Sequence, residues 1–361
     1  MLMKREPIRV VDLKGTYRDI GLQYGESCAE GIKENIQLWV EMIQAYYPQA
    51  TKNRMVALAQ QFLESYKTYT PELVDELEGI AEASGSSFEE ILFLQVKSEL
   101  LFNFPNELFG SEGCTSFAVT GDATRNGETI AGQNWDWFPR SSPLLIRVQP
   151  TGGRKFIALT LPGMLGICGI NEAGIAHQAN AITTIKSRIG IAPYGGIHQE
   201  VLTQKNIADM IGVLYKIHNA SADNYLMASA EGDIIDVELT ADGIEVLYPK
   251  QDFCVHTNHL LAERFKPIDK AGLVTPNSYL RFARLNKLIQ QNYGQLTVDS
   301  FKKLLSDHNG YPDSICRHVD EEDPPQLHRI TRASMISVPG EQKLYVTNGQ
   351  PCENEYYEYE I

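Results

Sequence analysis

Glu112-Gly113-Cys114-Thr115-Ser116 joins a small residue to a thiol and two hydroxyls, and a strand returning through Gly132-Gln133-Asn134-Trp135-Asp136 carries an amide and a carboxylate back toward it. Such a set suits a chain that cuts itself before a cysteine and then uses the new terminus. A cysteine attacks an amide only if its thiolate forms and the tetrahedral oxyanion is held. With Gly113–Cys114 cut, Cys114 would carry both nucleophile and base. An α-amine titrates at about 7.7–8.0 and a thiol at about 8.5, so the amine can take the thiol proton directly or through one water. No catalytic histidine is needed. Gly113 suits the cut because a residue without a side chain tolerates a strained backbone and leaves the thiol room to reach the preceding carbonyl. Taken singly, each residue has a plainer reading: a lone cysteine is commonly a small core residue, and Asn and Asp at a strand end commonly cap a turn.

The element that must position these groups is a hairpin. Asn126-Gly127 between two apolar runs predicts a tight turn joining Ser116–Thr120 to Thr129–Asp136. Pairing about that turn sets Cys114 opposite about Pro139 and leaves Asp136 within a few residues of Cys114. The facing itself stays open, because a slip of one residue flips every side chain. Asp136 can bind the new ammonium or a cationic substrate group, and Asn134 can donate hydrogen bonds.

Upstream, the chain reads as helix. Thr16 and Asp19 form a capping-box pattern, and further helices fit 55–68, 71–83 (with Thr70 as N-cap) and 88–101. Gly21 and Gly25, one turn apart, permit close approach of a neighbouring backbone. Downstream, strand patterns recur at 144–148, 155–161, 168–171, 174–180, 225–230, 234–239, 244–248, 253–257, 333–338 and 343–348. Helices fit 204–218, 276–291 and 298–308, and the Glu- and Tyr-rich tail from Glu353 is a solvated end or an edge strand. Hairpin-linked strands with helices grouped before and between them predict α+β with antiparallel sheets.

Composition bounds the function. At 361 residues, with 43% hydrophobic and 22% charged residues, the chain is globular and long enough to bury a sizeable core. A formal net charge of −14 argues against a nucleic-acid partner. The first twelve residues hold no apolar core of signal-peptide length and no later run approaches a membrane span, so a cytoplasmic protein without a membrane partner is expected. The six cysteines are far apart with no CxxC pair, and His256 and His259 come without HExxH or a carboxylate ligand set, so no metal is expected there.

Several strings occur in one order: Gly15-Thr16 through Gly25, Gln133-Asn134-Trp135-Asp136, Gly169-Ile170-Asn171-Glu172-Ala173-Gly174, His256-Thr257-Asn258-His259, Pro276-Asn277-Ser278-Tyr279-Leu280-Arg281, and Ser314-Ile315-Cys316-Arg317 after Tyr311-Pro312. Together they resemble the penicillin acyltransferase family (acyl-CoA:6-aminopenicillanate, or isopenicillin N, acyltransferase), a branch of the N-terminal nucleophile hydrolases. The resemblance implies one domain over 1–361, an αββα four-layer sandwich that self-cleaves into associated fragments 1–113 and 114–361. It implies Cys114 as nucleophile, Asn258 in the oxyanion hole, and Asp136 with Arg317 at the substrate; Arg281 and Arg284 are expected to be structural. The reaction it implies passes through an acyl-enzyme on a small N-acyl amide or acyl thioester, acyl-CoA among the candidates, with no cofactor. Two alternatives stay open: an acid-ceramidase-like N-acyl lipid amidase, and a non-catalytic relative serving as a binding module.

Overall fold

The computed structural model describes residues 5–103, 113–185 and 187–361, so Glu112 of the junction lies outside the described residues. The strands are β1 (Val10–Gly15), β2 (Gly113–Gly121), β3 (Gly127–Trp137), β4 (Leu144–Pro150), β5 (Phe156–Thr160), β6 (Cys168–Asn171), β7 (Ile175–Ala181), β8 (Asp223–Ser229), β9 (Ile234–Thr240), β10 (Gly243–Leu247), β11 (Phe253–His256), β12 (Ile330–Val338), β13 (Lys343–Val346) and β14 (Tyr357–Glu360). The helices are α1 (Tyr17–Tyr46), α2 (Lys52–Ala59), α3 (Leu63–Tyr69), α4 (Pro71–Ser84), α5 (Phe88–Asn103), α6 (Ile197–Leu202), α7 (Ile207–Lys216), α8 (Ala271–Val274), α9 (Asn277–Gln291) and α10 (Val298–Leu304).

Two sheets result, ordered β1-β4-β5-β6-β7-β8-β9-β10 and β11-β2-β3-β12-β13-β14. Their neighbours are antiparallel except β1, which pairs parallel with β4. Strand β1 carries no hairpin signal, because a parallel partner is reached only through a long connection. The sheets face each other where β2 and β3 pack on β7 and β8. Ala118, Ala131, Ala176, Leu226 and Ala228 fill this space, mostly small side chains that let the sheets come close. Outside the larger sheet lie α1, α6 and α7, with α4 and α5 packed on α1. Outside the smaller sheet, Phe117, Val119 and Ile130 bury against Leu285, Ile289 and Phe301 of α9 and α10. The architecture is therefore α+β, an αββα four-layer sandwich.

Local chemistry sets the start of the helical layer. The Thr16–Asp19 capping box is present, with Thr16 Oγ1 accepting from Asp19 N. Gly21 and Gly25 do permit close packing: a Cβ at either would lie 2.1 Å from the Glu76 carbonyl oxygen or 2.6 Å from that of Ile80, both on α4. The helix expected over 55–68 is divided into α2 and α3 by a 3-10 turn at Gln60–Phe62. Thr70 does not cap α4 through its side chain; its hydroxyl donates back to the Tyr66 carbonyl at 3.3 Å. The tail forms the edge strand β14.

The β2–β3 hairpin departs from the expected register. Cys114 faces Trp135 and Gly113 faces Asp136, where Pro139 was expected opposite Cys114. Asn126-Gly127 is not a two-residue turn. Residues 122–126 form a wider loop between Gly121 and Gly127, both at positive φ, and Arg125 N donates to the Leu296 carbonyl at 3.0 Å. That distant tether widens the turn. The shift is even, so the side chains keep their faces.

Glu76 on α4 is fully buried and accepts from Gln199 Nε2 at 2.7 Å. Burial pushes its carboxyl up to about 8, against the Gln199 hydrogen bond, with the Glu200 carboxylate adding to the rise. An acid whose folded pKa is raised holds its proton longer in the folded state, so stability is lost as pH climbs from the unfolded toward the folded pKa. Glu76→Gln removes that proton. Relative to the parent, the variant is expected to gain up to about 1.4 kcal/mol per pH unit between about pH 5 and 8. Urea unfolding across that range measures it; parallel stability curves would rule the buried acid out as the cause.

Candidate active site

Strand alternation divides the hairpin's side chains. Cys114, Ser116 and Ala118 of β2, with Trp135, Gln133 and Ala131 of β3, face the space between the sheets; Thr115, Asn134 and Asp136 face α9 and α10. Cys114 is fully buried and packs in the same apolar cluster as Trp135 and Trp137, whose rings stack at 4.9 Å.

The backbone around Cys114 is held by side chains from far along the chain. Its N–H donates to Asn258 Oδ1 at 2.9 Å, and its carbonyl accepts from Arg281 Nη1 at 2.6 Å. Arg281 also donates to Thr115 Oγ1 and, through Nη2, to Asn258 Oδ1, each at 2.8 Å. Two donors converge on that oxygen, which fixes the amide's orientation and leaves Nδ2 as the donor. Nδ2 donates to the Ala181 carbonyl at 2.9 Å, and Ser278 Oγ steadies Asn258 from below by accepting from its N–H at 2.8 Å. Arg281 is fully buried on α9. Burial lowers its pKa from the usual arginine value, while the Asp136 carboxylate works in the opposite direction.

Asp136 stands on the other side of the junction. Its Oδ1 accepts from Thr331 Oγ1 at 2.8 Å, and its Oδ2 is buried without a hydrogen-bond partner among the described residues. A Cβ placed on Gly113 would lie 2.6 Å from that Oδ2 and 3.1 Å from Arg317 Nη1, so glycine is what leaves room for both charges at residue 113. Burial raises the Asp136 pKa, against the pull of the Arg281 and Arg317 guanidinium groups. Arg317 is fixed from two sides: its N–H donates to Thr331 Oγ1 at 2.8 Å and its Nη2 pairs with Asp313 at 2.6 Å.

Four of the residues singled out from sequence, with Gly113, thus come together: Cys114, Asn258, Asp136 and Arg317. Asn134 takes a different part. Both hydrogens of its amide go to backbone carbonyls, Leu305 and Ile315, each at 2.8 Å, so it ties the hairpin to the loop preceding Arg317 rather than offering a donor to substrate. Arg281, expected to be structural beside Arg284, lies in the cluster. Arg284 instead forms a two-point pair with Asp307 at 3.0 and 2.6 Å. Arg281 ends the family-like string Pro276–Arg281 and Arg284 lies beyond it, a local signal that could have separated the two arginines where their shared helix face does not. His256 is engaged by Glu238 at 3.0 Å and His259 by Ser278 Oγ at 2.8 Å, in keeping with hydrogen-bonded core histidines. A cleft of about 640 Å³ beside Lys266, Asp269 and Tyr279 is lined by His259, next to Asn258, but by none of Cys114, Asp136, Asn258, Arg281 and Arg317, so side-chain chemistry rather than cleft size assigns the site.

Fold and site together define a layered α+β protein whose buried cysteine opens an inner strand under an amide and a guanidinium. The chain belongs to the acyl-coenzyme A:6-aminopenicillanic acid acyl-transferase family, whose model matches residues 123–352. Asp136, Asn258, Arg281 and Arg317 fall inside the match, while Gly113 and Cys114 precede it. Over 315 residues the chain is 25% identical to the acyl-coenzyme A:6-aminopenicillanic-acid-acyltransferase 40 kDa form of Emericella nidulans, covering 86% of this chain and 85% of that one. It is 24% identical to a beta-alanyl-dopamine/carcinine hydrolase of Drosophila melanogaster over 62% of this chain, spanning 61% of that protein. The penicillin V acylase of Agrobacterium tumefaciens is a structural neighbour with a TM-score of 0.48 and 15% identity, over 69% of this chain and 86% of that one. The family and the two sequence relatives, an acyltransferase and a hydrolase by name, support an enzyme of acyl transfer or hydrolysis. Among the described residues no helix is long and apolar enough to cross a membrane.

Proposed function

We propose that the chain is a self-processing cysteine amidohydrolase or acyltransferase that works through an acyl-enzyme on Cys114. One observation carries this reading. The nitrogen of the Gly113–Cys114 bond is held by Asn258, 144 residues away, and the Cys114 carbonyl by Arg281, 167 residues away. Buried backbone groups need partners whatever the side chain. What supports the reading is that these partners are an amide and a buried guanidinium, which set a hydrogen-bond donor and a positive charge beside the residue that carries the thiol.

In maturation, the Cys114 thiolate attacks the Gly113 carbonyl carbon. The C–N bond breaks, a thioester forms, and the Cys114 nitrogen leaves as an amine after taking a proton. Water then cleaves the thioester, giving a Gly113 carboxylate and a new amino terminus. In turnover that amine takes the thiol proton, and the thiolate attacks the substrate carbonyl. The proton passes on to the departing amine or thiol. Water or an acceptor amine resolves the acyl-enzyme, which separates hydrolysis from transfer. Asn258 serves both halves: Oδ1 orients the Cys114 nitrogen, and Nδ2 donates to the oxyanion. Arg281 keeps a fixed positive charge beside the nucleophile, where it favours anionic sulfur and oxygen. Asp136 is available to the new ammonium or a cationic substrate group.

The substrate class is a small N-acyl amide or acyl thioester, in line with the acyltransferase and hydrolase names of the relatives. Arg317 suits a substrate carboxylate, which must compete with Asp313 for the guanidinium. Maturation is tested by intact mass and amino-terminal sequencing of the purified protein, with fragments Met1–Gly113 and Cys114–Ile361 of 113 and 248 residues expected. An active preparation holding only full-length chain would sink the self-cleavage mechanism. A panel of N-acyl amides and acyl-CoA thioesters, with and without acceptor amines, then reads hydrolysis against transfer.

A further inference from the structure

Beyond the Cys114 cluster, two cysteines and two histidines from three stretches of chain meet near the carboxy-terminal segment. The ligand atoms of His308, Cys316, His318 and Cys352 all lie within 4.8 Å of one another. His308 Nε2 and His318 Nε2 are 3.1 Å apart, and Cys316 Sγ and Cys352 Sγ are 3.5 Å apart. His318 Nε2 lies 3.8 Å from Cys316 Sγ and 3.4 Å from Cys352 Sγ.

These separations carry the argument. Zinc takes thiolate at about 2.3 Å and imidazole nitrogen at about 2.0–2.1 Å, so a tetrahedral Cys₂His₂ set has ligand-to-ligand edges of about 3.3–3.8 Å. Four of the six edges run from 3.1 to 3.8 Å, and the two from His308 to the sulfurs are no longer than 4.8 Å. A disulfide has sulfurs about 2.0 Å apart, and Cys316 and Cys352 are well outside that. Hydrogen bonding alone accounts poorly for the group, since a weak thiol pair gains little from converging on two imidazole nitrogens.

We propose that His308, Cys316, His318 and Cys352 bind one zinc ion in a closed, structural site. Two thiolates and two neutral imidazoles balance the dication and fill its tetrahedron, so no position is left for substrate and the site takes no part in bond breaking. Binding displaces the two thiol protons to solvent. Its place in the fold gives it a purpose. Cys316 and His318 flank Arg317, and Asp313, the ion-pair partner of Arg317, lies between His308 and Cys316. Cys352 belongs to the segment between β13 and β14. The ion would therefore clamp the Arg317 loop to the edge of the smaller sheet.

The test uses full-length protein purified with reductant and analysed for metal after gel filtration against a weak chelator. About one zinc per chain is expected. Cobalt(II) in its place should give thiolate-to-metal charge-transfer absorption in the near ultraviolet and the strong visible bands of tetrahedral coordination. Cys352→Ser and His308→Ala, both at exposed positions, should each lose the retained metal and the tetrahedral cobalt spectrum, while Cys254→Ser keeps both. Stripping the metal from the parent should lower its Tm, and restoring zinc should recover it. The proposal is overturned if the reduced parent retains neither zinc nor cobalt, if Cys352→Ser retains as much as the parent, or if Cys316 and Cys352 are disulfide-bonded in the reduced preparation. None of these readouts depends on whether Cys114 is the nucleophile.

Discussion

Cys114→Ala is expected to yield a folded, full-length chain without activity. The thiol serves both maturation and turnover, so its loss removes the Gly113 cut and the acyl-enzyme together. Loss of a catalytic nucleophile elsewhere lowers kcat on the order of 10⁶-fold, which here means background. Folding should survive, because Asn258 and Arg281 hold backbone atoms of residue 114 that alanine keeps. The small void left by sulfur costs about 1 kcal/mol. Intact mass shows whether the chain is cut, and a substrate assay shows turnover. Cys168→Ala is the control, since that cysteine is buried in β6, away from the cluster. Residual hydrolysis by Cys114→Ala at parental rate would remove Cys114 from the mechanism.

Asn258→Ala carries the second-largest expected effect, a fall in kcat of roughly 10²–10³-fold in the processed enzyme, as for loss of one oxyanion donor elsewhere. The structure adds a complication. Asn258 Oδ1 accepts from both Cys114 N and Arg281, so alanine also strips a buried N–H and a buried guanidinium of their acceptor, at about 1–3 kcal/mol. Maturation should slow too, and each preparation's cleaved fraction must be measured before kinetics are compared. Asn258→Asp separates the two contributions. It keeps an acceptor for Cys114 N and Arg281 but replaces the donor facing Ala181 O with an oxygen. Cleavage is expected to persist in the aspartate variant while turnover falls. Near-parental kcat in fully processed Asn258→Ala would leave backbone N–H groups as the oxyanion donors.

Both variants test a cluster of which the sequence named most members but not the arrangement. Asn258, Asp136 and Arg317 were legible because each lies in a short string resembling the family, and Cys114 because it follows Gly113 and precedes two hydroxyls on a strand whose return carries an amide and a carboxylate. The α+β class was legible because hairpin and capping signals are local: the Thr16–Asp19 box, the strand alternation on either side of residue 125, and the glycines at turns act through neighbours a few residues apart.

What only the tertiary structure decided depends on partners far along the chain. The hairpin register moved Cys114 from Pro139 to Trp135 because Leu296 tethers the loop at Arg125, a contact no turn rule contains. Arg281 and Arg284 look alike on one helix face, yet one lies buried under Cys114 and the other reaches Asp307 near the surface. Asn134 reads as a spare donor until Leu305 and Ile315 take both its hydrogens. The His308–Cys316–His318–Cys352 group matches no ligand-spacing motif, since its fourth member comes only after β12 and β13. Sequence determined which groups were available and which elements would carry them. Burial and long-range pairing decided which groups meet, because the penalty for leaving a buried polar atom unpaired is settled by the nearest partner in space, not in sequence.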